Sequence, residues 1–224
     1  MNFFDHLKGA TEPERQQLFS IPIIQDALHG KVVRAQYIAF LGQAYHHVKH
    51  TVPLLMACGS RLDSRLKWLR DAVAEYIVEE VGHQEWILSD IAACGGDPET
   101  VRHAQPHAST ELMVAYAYHQ VDRGNPVAFF GMVHVLEGTS TALATHAADT
   151  MRSALSLPPE AFSYLSSHGS LDLEHVAFFE KLVNRLDDDA DRQAVIHMAR
   201  MMYGLYGNVF RGLPRGKQLL ARAA

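Results

Sequence analysis

Apolar residues recur along most of this chain at spacings of three and four, which is the period of an amphipathic α-helix. We find no convincing run of alternating apolar and polar residues, which would indicate a half-buried strand, and no Asn-Gly or Asp-Gly hairpin turn. Glycine and proline mark helix ends at residues 95–98 and 123–126. We therefore predict an all-α bundle of seven to eight helices in one domain, residues 1–224, in which 212–224 form a basic tail that is either flexible or docked on a partner subunit. The predicted helices cover residues 31–56, 63–93, 98–103, 109–122, 127–153, 157–185 and 191–210.

The composition is that of an ordinary globular domain, and it argues against some classes of function. The 224 residues are 48% hydrophobic and 20% charged, which suits a single core. The net charge of −5 argues against a nucleic-acid partner, because such proteins usually carry a basic patch. Polar residues or glycine interrupt the long apolar stretches, so we expect no membrane partner, and the N-terminus lacks a signal-peptide pattern. With only Cys58 and Cys94, we expect buried free thiols in a cytoplasmic protein.

Near the end of the chain, three residues with metal-binding side chains share one face of a predicted helix. His168, Asp172 and His175 are spaced i, i+4 and i+7, and an α-helix turns once in 3.6 residues, so all three lie on one side. This histidine–aspartate stripe continues in both directions through apolar residues, namely Leu165, Phe179 and Leu182. A stripe with apolar neighbours faces the core, where two imidazoles and a carboxylate are costly to bury unless a metal ion compensates.

A second predicted helix carries Glu79-Glu80-Val-Gly82-His83, in which Glu80 and His83 have the i, i+3 spacing that di-iron bundles use. Two glutamates compete for this role. Glu80 continues an apolar stripe, whereas Glu79 lies on a more mixed face, so we favour Glu80 and keep Glu79 as the alternative. Gly82 either lets another helix approach closely or allows a distortion of its own helix near the site. The alternative is that this glycine has no role in the site.

A third predicted helix contributes Glu137, which is the only acidic residue between Asp122 and Asp149. Its neighbours along the helix are apolar, and an isolated carboxylate on an apolar face needs a partner. His134 lies one turn earlier. His134 either contacts one of the metal ligands and holds it in position, or is an ordinary histidine of the core or the surface.

Together, three helices supply six candidate metal ligands: Glu80, His83, Glu137, His168, Asp172 and His175. Three carboxylates with three imidazoles suit iron or manganese, whereas zinc takes fewer ligands, and the lack of cysteine candidates excludes a thiolate site. Six ligands fit two metals with positions left for water, oxygen or substrate. The alternative is a buried polar network held by hydrogen bonds.

Other histidines and aromatic residues receive weaker assignments. We assign His46, His47 and His50 to the surface or to the lining of a pocket, and the alternative is a metal or substrate role. The candidates for a pocket wall are Tyr37, Tyr45, Tyr76 and Phe130.

The six candidate ligands resemble the metal signature of the haem-oxygenase-like di-iron oxidases and oxygenases, which include CADD-like iron-containing redox enzymes. The resemblance implies the haem-oxygenase-like (TenA/PqqC-like) fold over the whole chain and metal ligation by all six residues. It further implies two irons per subunit with the second weakly held, O₂ as co-substrate, and a homodimer. The reaction implied is the oxidation of a small organic substrate of the fatty acid, amino acid or amine class.

The same resemblance leaves alternatives to a di-iron enzyme. TenA thiaminases share the fold but need a cysteine in the mid-chain helix, and residues 127–153 contain none, so thiaminase activity is not expected. A metal-free enzyme of the TenA or PQQ-synthesis type, and a non-enzymatic ligand-binding or regulatory protein, remain open. A ferritin-like bundle is a structural alternative, but it would carry two Glu-x-x-His motifs rather than one.

Overall fold

A computed structural model describes residues 2–215 of the chain, and for residues 168–175 it describes the backbone only. Within this range every regular element is helical, as predicted. Single 3-10 turns precede α5, α9 and α10. The α-helices are α1 (Phe3–Phe19), α2 (Pro22–Leu28), α3 (Arg34–Val48), α4 (Thr51–Arg61), α5 (Lys67–Glu80), α6 (His83–Ala93), α7 (Pro98–His103), α8 (Ala108–Arg123), α9 (Phe129–Leu155), α10 (Ser163–Val183) and α11 (Asp189–Arg211).

The described residues form more helices than predicted, because two of the predicted long helices are broken. The predicted helix 31–56 is two helices, α3 and α4, which are separated at Lys49 and His50. Pro53 explains this break, because it has no N–H to donate to the carbonyl of Lys49 and its ring would clash with that carbonyl in a continuous helix. The predicted helix 63–93 is likewise a 3-10 turn followed by α5 and α6. Helices α1 and α2 were not predicted.

Helix α9 packs against α10, α11 and α2 and so occupies the centre of the bundle. Gly131 lies where α9 meets α11. A Cβ atom at this position would lie 2.8 Å from the backbone nitrogen of Ala199 and 2.8 Å from Cβ of Met198. Glycine therefore lets the two helices approach more closely than any other residue would.

Helix α10 is capped by a side chain of a neighbouring helix. The fully buried carboxylate of Asp90 on α6 accepts hydrogen bonds from the backbone N–H groups of Ser163 at 3.2 Å and Tyr164 at 2.9 Å, and from the Ser163 hydroxyl. The first N–H groups of a helix have no partner within it, so Asp90 satisfies groups that would otherwise be buried without one. Burial raises the pKa of Asp90, while these hydrogen bonds act in the opposite direction. The cap holds the start of the helix that carries the histidine–aspartate stripe.

The chain beyond α11 packs against the body of the protein as far as it is described. Leu213 is buried, and the carbonyl of Pro214 accepts a hydrogen bond from the Gln36 side chain at 3.1 Å. Nη2 of Arg215 lies 2.8 Å from Oδ2 of Asp26. The remainder of the predicted tail, residues 216–224, lies outside the described residues.

By length and apolarity alone, the segment Pro126–Leu155 could cross a membrane, which corrects the expectation that no segment has these properties. The segment consists of a 3-10 turn and α9. In this fold 56% of its most apolar window is buried inside the protein, as in a core helix.

Both cysteines are buried and free, as predicted. Burial raises the pKa of the Cys58 thiol to about 12, so it stays protonated near neutral pH. The Cys58 thiol donates to the carbonyl of Pro126, with the two atoms 3.3 Å apart. Cys58 is therefore a packing residue and not a nucleophile.

Candidate metal centre and its cavity

A cavity of about 180 Å³ lies along α9. Every residue that lines it is buried or partly buried. Most of the wall is apolar, and its larger side chains include Ile24, Phe129, Met132, Leu143, Met151 and Phe210. Two carboxylates, those of Glu80 and Glu137, also line this cavity. The apolar cavity therefore brings together two candidate ligands that are 57 positions apart in the sequence (137 minus 80).

Glu80 lies at the end of a helix and not within one. Helix α5 ends at Glu80, Gly82 has a left-handed conformation with φ +94°, and α6 begins at His83. The prediction of one continuous helix through Glu80 and His83 is therefore wrong. Glycine adopts this backbone conformation without the steric cost that a Cβ atom brings, which accounts for Gly82 at the break.

Of the two competing glutamates, Glu80 lines the cavity with its side chain 12% exposed, whereas Glu79 is exposed. Oε2 of Glu80 lies 3.0 Å from Nδ1 of His83, which is buried. The imidazole of His83 stacks on the indole of Trp86, with ring centroids 4.2 Å apart and an interplanar angle of 30°. Contact with Glu80 and stacking on Trp86 together set the orientation of this imidazole.

Glu137 lies in the middle of α9 and lines a second cavity as well as the first. The second cavity is more polar, because Lys8, Glu12 and Arg15 of α1 and Thr141 of α9 contribute to its wall. We call it the polar cavity. Glu137 therefore lies in the walls of both the apolar cavity and the polar cavity.

His134 is a buried residue of the core. Its ring packs against those of Phe4, Phe179 and Tyr203, with centroid distances of 6.2, 5.9 and 6.3 Å. Burial, and next the positive charge of Arg15, lower the pKa of His134 to about 4, so the imidazole is neutral at pH 7. This environment matches the core histidine that was one of the alternatives for His134.

The side chains of His168, Asp172 and His175 lie outside the described residues. The backbone that carries them belongs to α10, so the predicted helix is confirmed there. The apolar residues at either end of the stripe, Leu165 and Phe179, are buried as predicted. Among the side chains that the structure describes, no group of three His, Cys, Asp or Glu residues could hold a metal ion.

Helix α10 reaches both cavities on either side of this segment. Leu165 lines the apolar cavity, while Val176 and Phe179 line the polar cavity. The backbone of residues 168–175 therefore runs between two stretches of α10 that line the cavities shared by Glu137. Helix α10 also packs directly against α9 and α6, which carry Glu137 and His83.

The early histidine cluster is divided between cavity and core. His47 lines the apolar cavity, and its ring meets that of Tyr206 edge-on with centroids 5.8 Å apart. His46 is buried as well, and burial lowers its pKa to about 4. Nδ1 of His50 lies 3.2 Å from the hydroxyl of Tyr118. Pocket lining is thus the observed position of His47.

The aromatic candidates for the wall were predicted less well than the histidines. Tyr37 lines the cavity and donates a hydrogen bond to the carbonyl of Ala161, whereas Tyr45, Tyr76 and Phe130 are buried without lining it.

Thr139, which does line the cavity, was missed. A threonine on a mostly apolar helix is too common a feature to be recognised from the sequence.

A family model described as an iron-containing redox enzyme matches residues 38–207 of the chain. This chain belongs to the family of iron-containing redox enzymes. The matched range includes all six predicted ligands, and membership of this family supports an oxidoreductase that uses iron.

Solved structures show the same fold. A heme oxygenase-like domain of unknown function from Shewanella denitrificans has a TM-score of 0.86 and 23% identity, covering 100% of this chain and 97% of that one. A TenA homolog from Pseudomonas syringae has a TM-score of 0.77 and 10% identity, with coverage of 93% and 91%. Heme oxygenase-1 from Synechocystis, solved with heme, has a TM-score of 0.76 and 11% identity, with coverage of 100% and 96%. A comparison with curated proteins gives no match. The predicted haem-oxygenase-like fold is confirmed.

Proposed function

We propose that this iron-containing redox enzyme is a non-haem di-iron oxidase or oxygenase that activates O₂ to oxidise a small organic substrate. The single observation that carries the proposal is the meeting of Glu80 and Glu137 at one buried, mostly apolar cavity. Carboxylates are costly to bury in such a space, and they are ligands that iron prefers together with imidazole. The imidazole of His83 lies 3.0 Å from Glu80.

The proposed ligands are Glu80, His83 and Glu137 together with His168, Asp172 and His175. The donor set of carboxylates and imidazoles fits iron, with manganese as the second choice. Iron bound there would supply the electrons that reduce O₂, which an ordinary protein side chain cannot do. We expect two irons per subunit, with the second held more weakly.

The described residues perform the tasks that such chemistry requires of the protein. The apolar wall along α9 offers water few hydrogen-bond partners in the space beside Glu80 and Glu137. The indole of Trp86 holds the imidazole of His83 in one orientation. The Asp90 cap holds the start of α10, which carries the other proposed ligands. The polar cavity on the other side of Glu137 offers a separate approach for water and protons.

The adjacent glutamates provide a matched pair of variants for testing this proposal. Glu80→Gln removes one carboxylate charge at the cavity, whereas Glu79→Gln makes the same chemical change at an exposed position. After anaerobic reconstitution with ferrous iron, we expect Glu80→Gln to bind less iron and to consume O₂ more slowly in stopped-flow measurements. Glu79→Gln should match the unmodified protein in both assays. Equal iron content and O₂ consumption in the two variants would contradict the role of Glu80.

A second pair of variants tests the residues of α10. We expect His168→Ala and His175→Ala each to lower iron content and O₂ consumption. If both leave iron binding and O₂ consumption unchanged, the di-iron proposal fails.

The presence of TenA homologs among proteins with this fold supports one alternative, a metal-free enzyme that binds its ligand in the apolar cavity. A non-enzymatic ligand-binding or regulatory protein would use the cavity in the same way. Metal analysis of the freshly purified protein, combined with native mass spectrometry, separates these possibilities. The alternatives predict a bound organic ligand without metal, and the main proposal predicts iron.

A further inference from the structure

Thr139 places a hydroxyl group in the wall of the apolar cavity. The residue is only 6% exposed, and its Oγ1 atom has no hydrogen-bond partner in the described part of the chain. The other two buried threonines behave differently. Thr11 donates to the backbone carbonyl of Leu7 at 2.8 Å, and Thr110 donates to the Gln43 side chain at 2.7 Å. Thr139 is therefore an exception among the buried threonines of this protein.

Thr141, on the same helix, makes the hydrogen bond within the helix that Thr139 lacks. The hydroxyl of Thr141 donates to the backbone carbonyl of Glu137, with the two oxygen atoms 2.7 Å apart. Thr139 makes no such bond, although a helix offers it a carbonyl four residues earlier. A buried hydroxyl without a partner destabilises a fold, so its place in a cavity wall indicates a group that binds there.

The remainder of the wall limits what that group can be. Among the side chains that the structure describes, no lysine or arginine lines the apolar cavity, and residues 168–175 contain none. The acidic residues of the wall, Glu80 and Glu137, are proposed metal ligands. An uncompensated charge is costly in an apolar space, so a charged group of a ligand would be confined to the end where these carboxylates lie.

The size of the cavity and the position of Thr139 complete the description of the ligand. A dry cavity of ~150 Å³ can hold benzene, so about 180 Å³ accommodates a ring or a chain of slightly greater bulk. Thr139 follows Glu137 by two residues on α9, which places it about 3 Å further along the helix axis and about 200° around it, so the two side chains leave the helix in different directions. A ligand that binds Thr139 therefore lies in the cavity that Glu137 also lines, but at a different part of its wall.

We propose that Thr139 binds the substrate through a hydrogen bond to an uncharged polar group, such as a hydroxyl or a carbonyl, on an otherwise apolar molecule. This inference rests on the proposed function, since it assigns the substrate class of the same site. Thr139 binds the polar group of the substrate, and the apolar wall binds the rest of the molecule.

Binding of small probes to the metal-free protein, residues 1–224, tests this inference by isothermal titration calorimetry. The probes are benzyl alcohol, toluene and benzoate, which share one ring and differ in the group that the ring carries. Thr139→Val removes the hydroxyl at nearly constant volume, and Thr139→Ser keeps it. Thr141→Val is the matched control on α9, because its hydroxyl already has a partner within the helix.

We expect Thr139→Val to shift the ratio of benzyl alcohol to toluene affinity by about tenfold towards toluene, which corresponds to one lost hydrogen bond. Thr139→Ser and Thr141→Val should leave the ratio nearly unchanged, and benzoate should bind more weakly than benzyl alcohol. If the ratio is the same in Thr139→Val, a bound water is the partner of the hydroxyl and the inference is overturned. If benzoate binds as tightly as benzyl alcohol, the preference for an uncharged group is wrong and the inference is overturned.

Two further measurements keep the result interpretable. Thermal unfolding of Thr139→Val should occur at the same temperature as in the unmodified protein or higher, because an unpartnered hydroxyl has been removed. If Thr139→Val does not fold, Thr139→Ala is used in the titrations instead. Because the titrations contain no metal, a failure of iron binding overturns the proposed function alone. An unchanged probe ratio in a variant that binds iron normally overturns the role of Thr139 alone.

Discussion

Replacing Gly131 with alanine tests whether the close approach of α9 and α11 holds the site together. The added Cβ atom would lie 2.8 Å from the backbone nitrogen of Ala199 and 2.8 Å from Cβ of Met198, and closer still to the carbonyl oxygen of Val195. Two of these three atoms belong to the backbone, so no side-chain rotation relieves the overlap. Non-bonded carbon atoms prefer separations of about 3.5–4.0 Å, so the helices must move apart by roughly 1 Å.

The expected magnitude follows from two opposing effects. Overpacking of this kind costs about 1–3 kcal/mol and occasionally more, whereas replacing glycine with alanine inside a helix contributes up to about 1 kcal/mol of stability. Because backbone atoms are involved, we expect the upper part of the overpacking range and a net loss of about 2 kcal/mol. For a chain of this length, that loss lowers the unfolding temperature by about 4–8 °C.

Gly204 in α11 provides the control, because a Cβ atom there would meet nothing within 4 Å. Gly204→Ala should raise the free energy of unfolding by about 0.5–1 kcal/mol through helix propensity alone. Urea unfolding followed by circular dichroism gives both free energies, and equal m-values would show that the same surface is exposed in each variant. Since α9 carries Glu137, iron affinity should fall in Gly131→Ala only. If Gly131→Ala is as stable as the unmodified protein, the close helix crossing described above is incorrect.

Three further predictions concern the cap of α10, the break before α6 and the buried histidine. Asp90→Ala removes three hydrogen bonds from the start of α10 and should destabilise the fold by about 2–4 kcal/mol in urea unfolding, so a loss below about 0.5 kcal/mol would contradict the capping role. Gly82→Ala places a Cβ atom at φ +94° and should cost about 1–2 kcal/mol, whereas Gly82→Asn should cost less, and equal losses would show that backbone conformation is not the cause. Burial lowers the pKa of His134 from 6.5 to about 4, so the unfolded chain binds a proton first and stability is lost as the pH falls below 6.5. Between about pH 7 and pH 5 the unmodified protein should lose about 2 kcal/mol more than His134→Gln, and parallel pH profiles of the two would refute this.

Much of the secondary structure could be predicted, because a helix is encoded by local periodicity and by its ends. The predicted helix 98–103 coincides with α7, and the predicted break at residues 123–126 separates α8 from α9. The break at Lys49–His50 was missed, and at Gly82 a distortion was only one of the alternatives, for a different reason. The apolar pattern continues through both of them, and each break depends on one residue that interrupts the backbone without interrupting the pattern.

The candidate site could be predicted only in part. The apolar stripe favoured Glu80 over Glu79, and the structure places Glu80 at the cavity and leaves Glu79 exposed. The assignment of the six residues as metal ligands stays a prediction. The roles of Asp90 and Thr139 were not visible in the sequence, since each depends on what lies across from the residue and not on its neighbours along the chain.

The sequence by itself determined the all-α class, the helix that carries His168, Asp172 and His175, and the carboxylates and histidines from which a metal site can be built. These features follow from residue type and from spacing within single helices. Only the tertiary structure decided that Glu80 and Glu137 line one cavity, that Asp90 caps α10 from another helix, and that Thr139 keeps its hydroxyl unpartnered. The physical reason is that a cavity is space left between helices that are distant in sequence. Its shape and polarity depend on how closely those helices pack, as at Gly131, and no local pattern encodes that distance.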